Sequence, residues 1–347
     1  MSATSSSDGA VRDGAGSRFA GPAIILVLLA ALAMVPGIVG GRYLPAVFTS
    51  ILLFFILGAL FDFMLGYLRL VNFGIAGFLC AGAYGSALSV QYFHITPWTG
   101  LLIGGLASAL IGLITGVLTL RLRGIYIGLT TLFVMETLRY TISNARDITR
   151  GASGLTVKPF TPLFDLSFSR GDPITYYYLL LVMVVVVYAI LHTIVHSRIG
   201  LVFKAIRDDE LGTSVLGVNV VGYKLFNFVV ASFFVGVFGA FYAHYIGILV
   251  PTSEEFGIQR TVEILTIAYV GGRGTLWGSL LGALFLVGMQ EVLRDLQEWR
   301  LVIYGLSLIL IITLFPSGLA GALREALAWI DARRTRRNNR TAVEGDA

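Results

Sequence analysis

The sequence predicts an all-α fold, a polytopic membrane helix bundle of about ten transmembrane helices with re-entrant or broken segments and a short amphipathic helix on one face. Three observations lead there. Hydrophobic residues make up 56% of the 347 positions and charged residues 13%, against roughly 25% charged in an ordinary soluble domain. Mean hydropathy is +0.83. Apolar runs recur at the ~20-residue length that crosses a hydrocarbon core, and about 30 residues per crossing and connection give about ten crossings. This composition excludes a cytosolic enzyme, a disordered chain and a disulfide scaffold. The single cysteine, Cys80, lies in an apolar run and has no intrachain partner.

The elements follow in order. Residues 1–20 are rich in Ser, Gly and Asp without periodicity and read as a disordered tail. The first span is read at 22–39. Ala31-Leu32-Ala33 within it has the form of a signal-peptidase site, but the apolar run continues and no net positive charge precedes it, so the span is retained. Further spans are read at 43–65, 70–90, 98–120, 125–142, 174–194, 225–248, 258–270, 276–292 and 301–314. The 258–270 segment has only 13 residues and carries Glu263, which suits a re-entrant or broken element. The 41 glycines suit close helix packing. The membrane-embedded body is therefore 21–316, and 317–347 is a basic tail containing Arg333-Arg334-Thr335-Arg336-Arg337, a block that fixes topology and can meet anionic lipid.

With both termini on the cytoplasmic side of the membrane, Arg69, Arg121, Arg123, the 196–224 loop and Arg273 all fall inside. The lysines and arginines then divide 16 inside to 9 outside, the bias expected of inner loops. That bias accounts for the net charge of +5 without nucleic acid, since no basic face is interleaved with exposed aromatics.

Several chemistries are absent from the sequence. There is no Gly-Lys pair, hence no P-loop, and any ATP must be handled by another chain. His192 and His196 stand four apart without the glutamate or third ligand of a zinc site and read as interfacial residues. Gly271-Gly272-Arg273-Gly274 fails dinucleotide-binding spacing and reads as a helix break. Asn339-Arg340-Thr341 has the form of a glycosylation acceptor but falls on the inner side. Asp208, Asp209 and Glu210 are consecutive and cannot face one metal from one helix side. No metal site or intramembrane enzyme is expected.

One polar insertion, 197–224, interrupts the apolar spans. Phe203, Ile206, Leu211 and Val215 recur at near-helical spacing beside a mixed-charge stripe of Lys204, Arg207, Asp208, Asp209 and Glu210, which predicts an amphipathic helix of two to four turns. Gly212 weakens its interior, and Gly217 stands where a left-handed terminating residue is expected.

The order of residues adds more. Ser197-Arg198-Ile199-Gly200, Ala205-Ile206-Arg207-Asp208-Asp209-Glu210, Leu216-Gly217-Val218-Asn219-Val220 and Tyr223-Lys224-Leu225 closely resemble the coupling loop of branched-chain amino acid ABC transporter permeases of the LivM type. Gly66-Tyr67, Val71-Asn72-Phe73-Gly74, Ala76-Gly77-Phe78, Gly82-Ala83-Tyr84, Leu120-Arg121-Leu122-Arg123-Gly124-Ile125-Tyr126, Thr130-Thr131-Leu132 and the 271–278 segment also resemble that family. The resemblance spans residues 43–316. The chain departs from the pattern at Asp62, where many relatives have asparagine, at Arg69, where they have a small residue, at Ile75, where they have histidine, and at Gly212-Thr213, a common Ala-Ala pair.

The resemblance implies a permease subunit that binds no cofactor itself. ATP and Mg belong to two partner ATPase subunits; a second, LivH-type permease and a periplasmic solute-binding protein complete the assembly. The cargo would be a branched-chain or other hydrophobic amino acid, with urea or short amides as the alternative in the same family. Ala205, Ile206, Arg207, Asp208, Asp209, Glu210 and Gly217 would form the ATPase-docking coupling helix. The outer loop 143–173 and the 251–257 connection, with Glu254 and Glu255, would face the binding protein. Helix breaks near Gly66, Gly74 and Gly271, Gly272 and Gly274 can turn backbone dipoles toward a solute path. Asn72 is the nearest polar candidate for that path and serves an interhelix hydrogen bond equally well. Asp62 and Glu263 are ionisable groups in apolar surroundings and motivate a rival, an ion-coupled secondary transporter that needs no ATP.

Overall fold

The structure, a computed structural model, describes residues 41, 43–119, 122, 124–162, 168–169, 173–294, 299–315, 317–323 and 325–326. The expected N-terminal tail, the 22–39 span, Arg42, Arg121, Arg123 and the basic run at 333–337 lie outside the described residues.

The longer helices are α1 (Tyr43–Leu68), α2 (Ile75–Tyr92), α3 (Pro97–Thr119), α4 (Ile125–Asn144), α5 (Pro173–His196), α6 (Arg198–Asp208), α7 (Glu210–Val215), α8 (Val220–Ile246), α9 (Ile258–Gly271), α10 (Gly278–Val292) and α11 (Trp299–Leu314). Among the described residues, α1, α3, α5 and α8 are long and apolar enough to cross a membrane. The chain is an all-α, multi-pass membrane bundle.

The side-chain distribution explains why these segments need lipid. Helix α3 buries Gly104, Gly105, Ser108, Gly112, Thr115 and Gly116 and exposes Leu102, Leu106, Leu110, Leu113 and Leu118. Water would favour the reverse. In hydrocarbon, leucines suit the lipid face and small residues let backbones close. The closest packing joins α2, α3 and α8. There a Cβ on Gly82 would strike the Gly236 backbone, and Ser108 Oγ donates to Ser232 O at 2.7 Å.

Helix α1 is the axis of the fold, with every residue from Ile51 to Leu68 buried. Helices α5, α8 and the α9–α10 pair pack around it. With 14 and 15 residues, α9 and α10 are about 21 and 22 Å long, short of a ~30 Å hydrocarbon core. The 258–270 segment is thus the abbreviated element expected, and the 276–292 segment, read as a full span, is abbreviated too.

At the end of the bundle that holds the α2–α3 turn, the loop after α4 is tied down. Leu155 and Thr156 pair antiparallel with Leu249 and Ile248. Trp98 Nε1 donates to Thr161 O at 3.2 Å. The fully buried His244 reaches Lys158 O through Nδ1 at 2.7 Å and lies 2.9 Å from Ser86 Oγ through Nε2.

Two boundaries differ from expectation for local reasons. Helix α2 starts at Ile75 rather than Leu70, because Asn72 Oδ1 accepts from Gly74 N at 2.8 Å and holds the preceding turn open. The expected single amphipathic helix is two. Asp209 adopts extended backbone (φ −146°, ψ 102°) and its Oδ1 accepts from Gly212 N at 3.0 Å, so it ends α6 and caps α7. Phe203 and Ile206 are buried as the periodicity required, but Leu211 and Val215, placed beyond the kink, are 71% and 87% exposed.

Candidate functional site: the loop-facing end of the central helix

The last turn of α1 has carbonyls without intrahelical donors. Arg69, at φ 54°, closes the helix in the left-handed region, and Leu70 N returns to Met64 O at 3.2 Å. Gly66 lies in the last turn of α1, two residues before the helix ends at Leu68, so the chain does break near Gly66. Its role is close approach. A Cβ there would sit 2.5 Å from Gly274 N and 2.7 Å from Gly274 Cα. A second break lies on the other side of the contact, where α9 stops at Gly271 and the chain turns through Gly272 (φ 113°) and Gly274 (φ 75°).

Asp62, one turn before Gly66, binds this turn. Its Oδ1 accepts from Gly274 N at 2.7 Å, and its Oδ2 is buried without a hydrogen-bond partner among the described residues. Arg207 and Arg273 are its nearest cations.

The polar loop reaches the same place. Arg207 Nη1 donates to the orphan carbonyl of Gly66 at 3.2 Å, and its Nε to Asp208 Oδ1 at 3.2 Å. Four residues earlier on α6, Phe203 packs edge-on against Phe63 at 5.8 Å and Tyr223 at 6.4 Å. Glu210 Oε2 pairs with Lys224 Nζ at 2.7 Å, which ties α7 to the first turn of α8. Gly217 has φ 85°, the left-handed stop expected. Ala205 is exposed and Ile206 buried.

A cavity of about 670 Å³ opens between α1, α6 and α9, lined by Gly66, Arg69, Arg207, Asp208, Tyr269, Arg273 and Thr275 among others. Arg69, Arg207 and Arg273, which the charge-bias argument assigned to one side, do meet at one end of the bundle.

The remaining candidates separate. Asn72 and Gly74 form the neighbouring turn, where Asn72 Nδ2 lies 3.5 Å from Met64 Sδ and a Cβ on Gly74 would sit 2.7 Å from Thr131 O. Glu263 belongs to the opposite half. Arg260 Nη1 donates to it at 3.1 Å and Nη2 reaches Glu255, whose carboxylate accepts from the Tyr242 hydroxyl. Asp62 and Glu263 are not one site. Among the described residues no His, Cys, Asp and Glu group is placed to hold a metal.

Sequence reasoning missed three things. Arg207 points inward, which its i+4 spacing from Phe203 signals. Gly66 makes a close contact with Gly274 across to the facing turn. Leu211, Val215 and Leu216, the last 83% exposed, form an apolar tip on the loop.

The family described as branched-chain amino acid transport system / permease component matches residues 43–312. The chain belongs to this family. The match starts at the first residue of α1 and contains the Asp62–Gly66–Gly274 contact and the whole α6–α7 loop. The chain is 29% identical over 300 residues to the high-affinity branched-chain amino acid transport system permease protein LivM of Salmonella typhimurium, covering 80% of this chain and 70% of that one. With the Escherichia coli K12 protein of the same name it shares 29% over 325 residues, 88% of this chain and 76% of that one. The LivH permease protein of E. coli K12 is 28% identical over 129 residues, 36% of this chain and 41% of its own. No solved structure matches the chain. The permease is accordingly a membrane component of a transport system and not an enzyme.

Proposed function

We propose that this permease is one of two membrane subunits of an ATP-binding-cassette importer that carries branched-chain or other hydrophobic amino acids across a bacterial inner membrane. In this reading ten helices cross, both termini are cytoplasmic, and the loop end of α1 faces the cytoplasm. The second permease is LivH-type, two ATPase subunits hold ATP and Mg, and a periplasmic binding protein delivers the solute. This chain binds no cofactor.

The observation that carries the reading is the direct joint between the polar loop and the buried axis of the fold, Arg207 on Gly66 O and Phe203 on Phe63. An importer driven from outside the membrane must convert a push on a surface loop into a second arrangement of the core. A ligand or motor biases two states only if it contacts them differently. Helix α6 supplies such a lever, since its inner face grips α1 while Asp208, Glu210, Leu211 and Val215 remain exposed. Exposed apolar residues ringed by charge suit an ATPase groove, the apolar tip giving affinity and the charges register. Ala205, Asp209 and Gly217 shape the lever, and Asp62, Asn72 and the glycine turns 271–274 hold the core end. The solute path runs past these turns.

The test is reconstitution. Proteoliposomes holding this chain, the second permease and both ATPases, supplied with the binding protein and radiolabelled leucine, take up leucine only with ATP. The double reversal Arg207→Glu, Glu210→Arg abolishes uptake. Leucine uptake by this chain alone on a proton or sodium gradient overturns the reading in favour of an ion-coupled carrier.

A further inference from the structure

We propose that the cavity beneath α1 is a binding site for a phosphate-bearing dianion, with Arg69 and Arg273 as its principal ligands. This goes beyond transport of the amino acid and assigns a second ligand class to the loop end of the bundle.

Charge matching comes first. The cavity wall carries the guanidiniums of Arg69, Arg207 and Arg273 against one carboxylate, Asp208. Asp208 pairs with Arg207, which also donates to Gly66 O. Among the described residues Arg69 and Arg273 make no ion pair, although the buried carboxylate of Asp62 lies within electrostatic reach of Arg273. Among these residues the Arg69 side chain also makes no hydrogen bond, its backbone N–H donating to Leu65 O at 2.9 Å, and the Arg273 guanidinium lies over the Tyr269 ring, 5.0 Å from its centroid, which leaves its N–H edge for an acceptor. A phosphate monoester carries about −1.5 to −2 charges near neutrality, which fits two unpaired guanidiniums. A zwitterionic amino acid brings one carboxylate and an ammonium that the arginines repel. The cavity, about 670 Å³, has ample room for a phosphate or a lipid headgroup.

Backbone geometry makes Arg69 distinctive. Its φ of 54° lies where glycine is favoured and a Cβ crowds the following carbonyl. A helix-ending position of this kind is ordinarily filled by glycine, yet here it carries a cation into a charged cavity. Strain retained at a pocket wall points to a function for the side chain. The cavity sits at the end of the axial helix and is open to the outside of the bundle, so the phosphate can come from a lipid or from solution.

The full-length chain in phosphatidylcholine nanodiscs is titrated with inorganic phosphate by calorimetry. Parallel nanodiscs doped with phosphatidic acid are scored for retained lipid by native mass spectrometry. Saturable phosphate binding identifies the free ion, and selective retention of phosphatidic acid identifies the headgroup; either supports the site. Arg69→Gly and Arg273→Gln each weaken whichever binding is seen by about tenfold, the loss expected of one charge-assisted contact. Arg294→Gln, at the far end of α10, does not. Because glycine relieves the backbone at position 69, Arg69→Gly keeps or raises thermal stability, so its loss of binding is not misfolding. Absence of both kinds of binding, or equal binding by wild type, Arg69→Gly and Arg273→Gln, overturns the proposal.

Discussion

Gly66→Ala tests whether the α1 contact with the 272–275 turn holds the core together. The added Cβ would lie 2.5 Å from Gly274 N and 2.7 Å from Gly274 Cα, and would also strike Asp62 Oδ1. Two of these neighbours are backbone and the third is held by a hydrogen bond, so none can rotate away. Ordinary contact requires the turn to retreat by about 1 Å, which breaks the bond from Gly274 N to Asp62. Overpacking costs about 1–3 kcal/mol, and a buried carboxylate losing a donor about 1.5–3 kcal/mol more. The sum is about 2.5–6 kcal/mol. Gly274→Ala is the control: its φ of 75° adds about 1–2 kcal/mol of strain, but no atom comes nearer than 3.6 Å. Thermal unfolding in detergent should rank Gly66→Ala well below Gly274→Ala, with leucine uptake lost in the same order. Equal melting temperatures for the two variants would refute the reasoning, because backbone strain alone would then dominate.

Other expectations follow from the same geometry. Asp62→Asn keeps an oxygen for Gly274 N and removes a buried charge, so stability is unchanged or rises by about 1 kcal/mol and ATP-driven uptake persists; loss of uptake at unchanged stability would favour ion coupling at this residue. Phe203→Ala removes a fully buried ring between Phe63 and Tyr223 and should cost about 3–5 kcal/mol, seen as earlier thermal unfolding. Val215→Asp leaves melting unchanged because the residue is 87% exposed, yet pull-down of the ATPases should weaken by about tenfold or more, as for an apolar anchor. His244→Ala removes the donor to Lys158 O and the partner of Ser86, so hydrogen exchange across 155–162 should accelerate while α1 and α8 remain protected.

Element positions were readable because apolar runs and their glycine and proline punctuation are local properties. Helices α1, α3, α4, α5 and α8 fall within a few residues of the expected spans. The site was less legible because it depends on pairings between distant residues. Asp62 and Gly274 stand 212 positions apart, and nothing local to either names the other. The break near Gly66 was legible, but the close approach of Gly66 to Gly274 was not, because only a neighbour reveals that use of a glycine. The amphipathic pattern of 203–215 was real for its first two positions and misleading for the last two, because Asp209 satisfies a cap better than a helix interior.

The kink at Asp209 matters for the mechanism. Had α6 and α7 been one continuous helix, Leu211 and Val215 would share the face of Phe203 and Ile206 and be buried against the bundle, leaving an exposed surface that is polar and shallow. The break rotates them outward, so two faces of one short loop are available at once: an inner face set against α1 through Phe203 and Arg207, and an outer apolar tip. A rod with one gripping face could only cover the base of the bundle, whereas a kinked element with two can be held at both ends and transmit displacement. The Lys224–Glu210 pair, with the lysine side chain 11% exposed, ties the outer segment to the first turn of α8. In the proposed coupling, a push on the tip would reach α8 as well as α1, two helices that Asn227 Nδ2 joins by donating to Phe63 O at 3.0 Å inside the core. Separating those two contacts by mutation, Glu210→Ala against Arg207→Ala, tells which helix carries the stroke. If α1 carries it, Arg207→Ala lowers leucine imported per ATP hydrolysed several-fold and Glu210→Ala leaves that ratio near wild type.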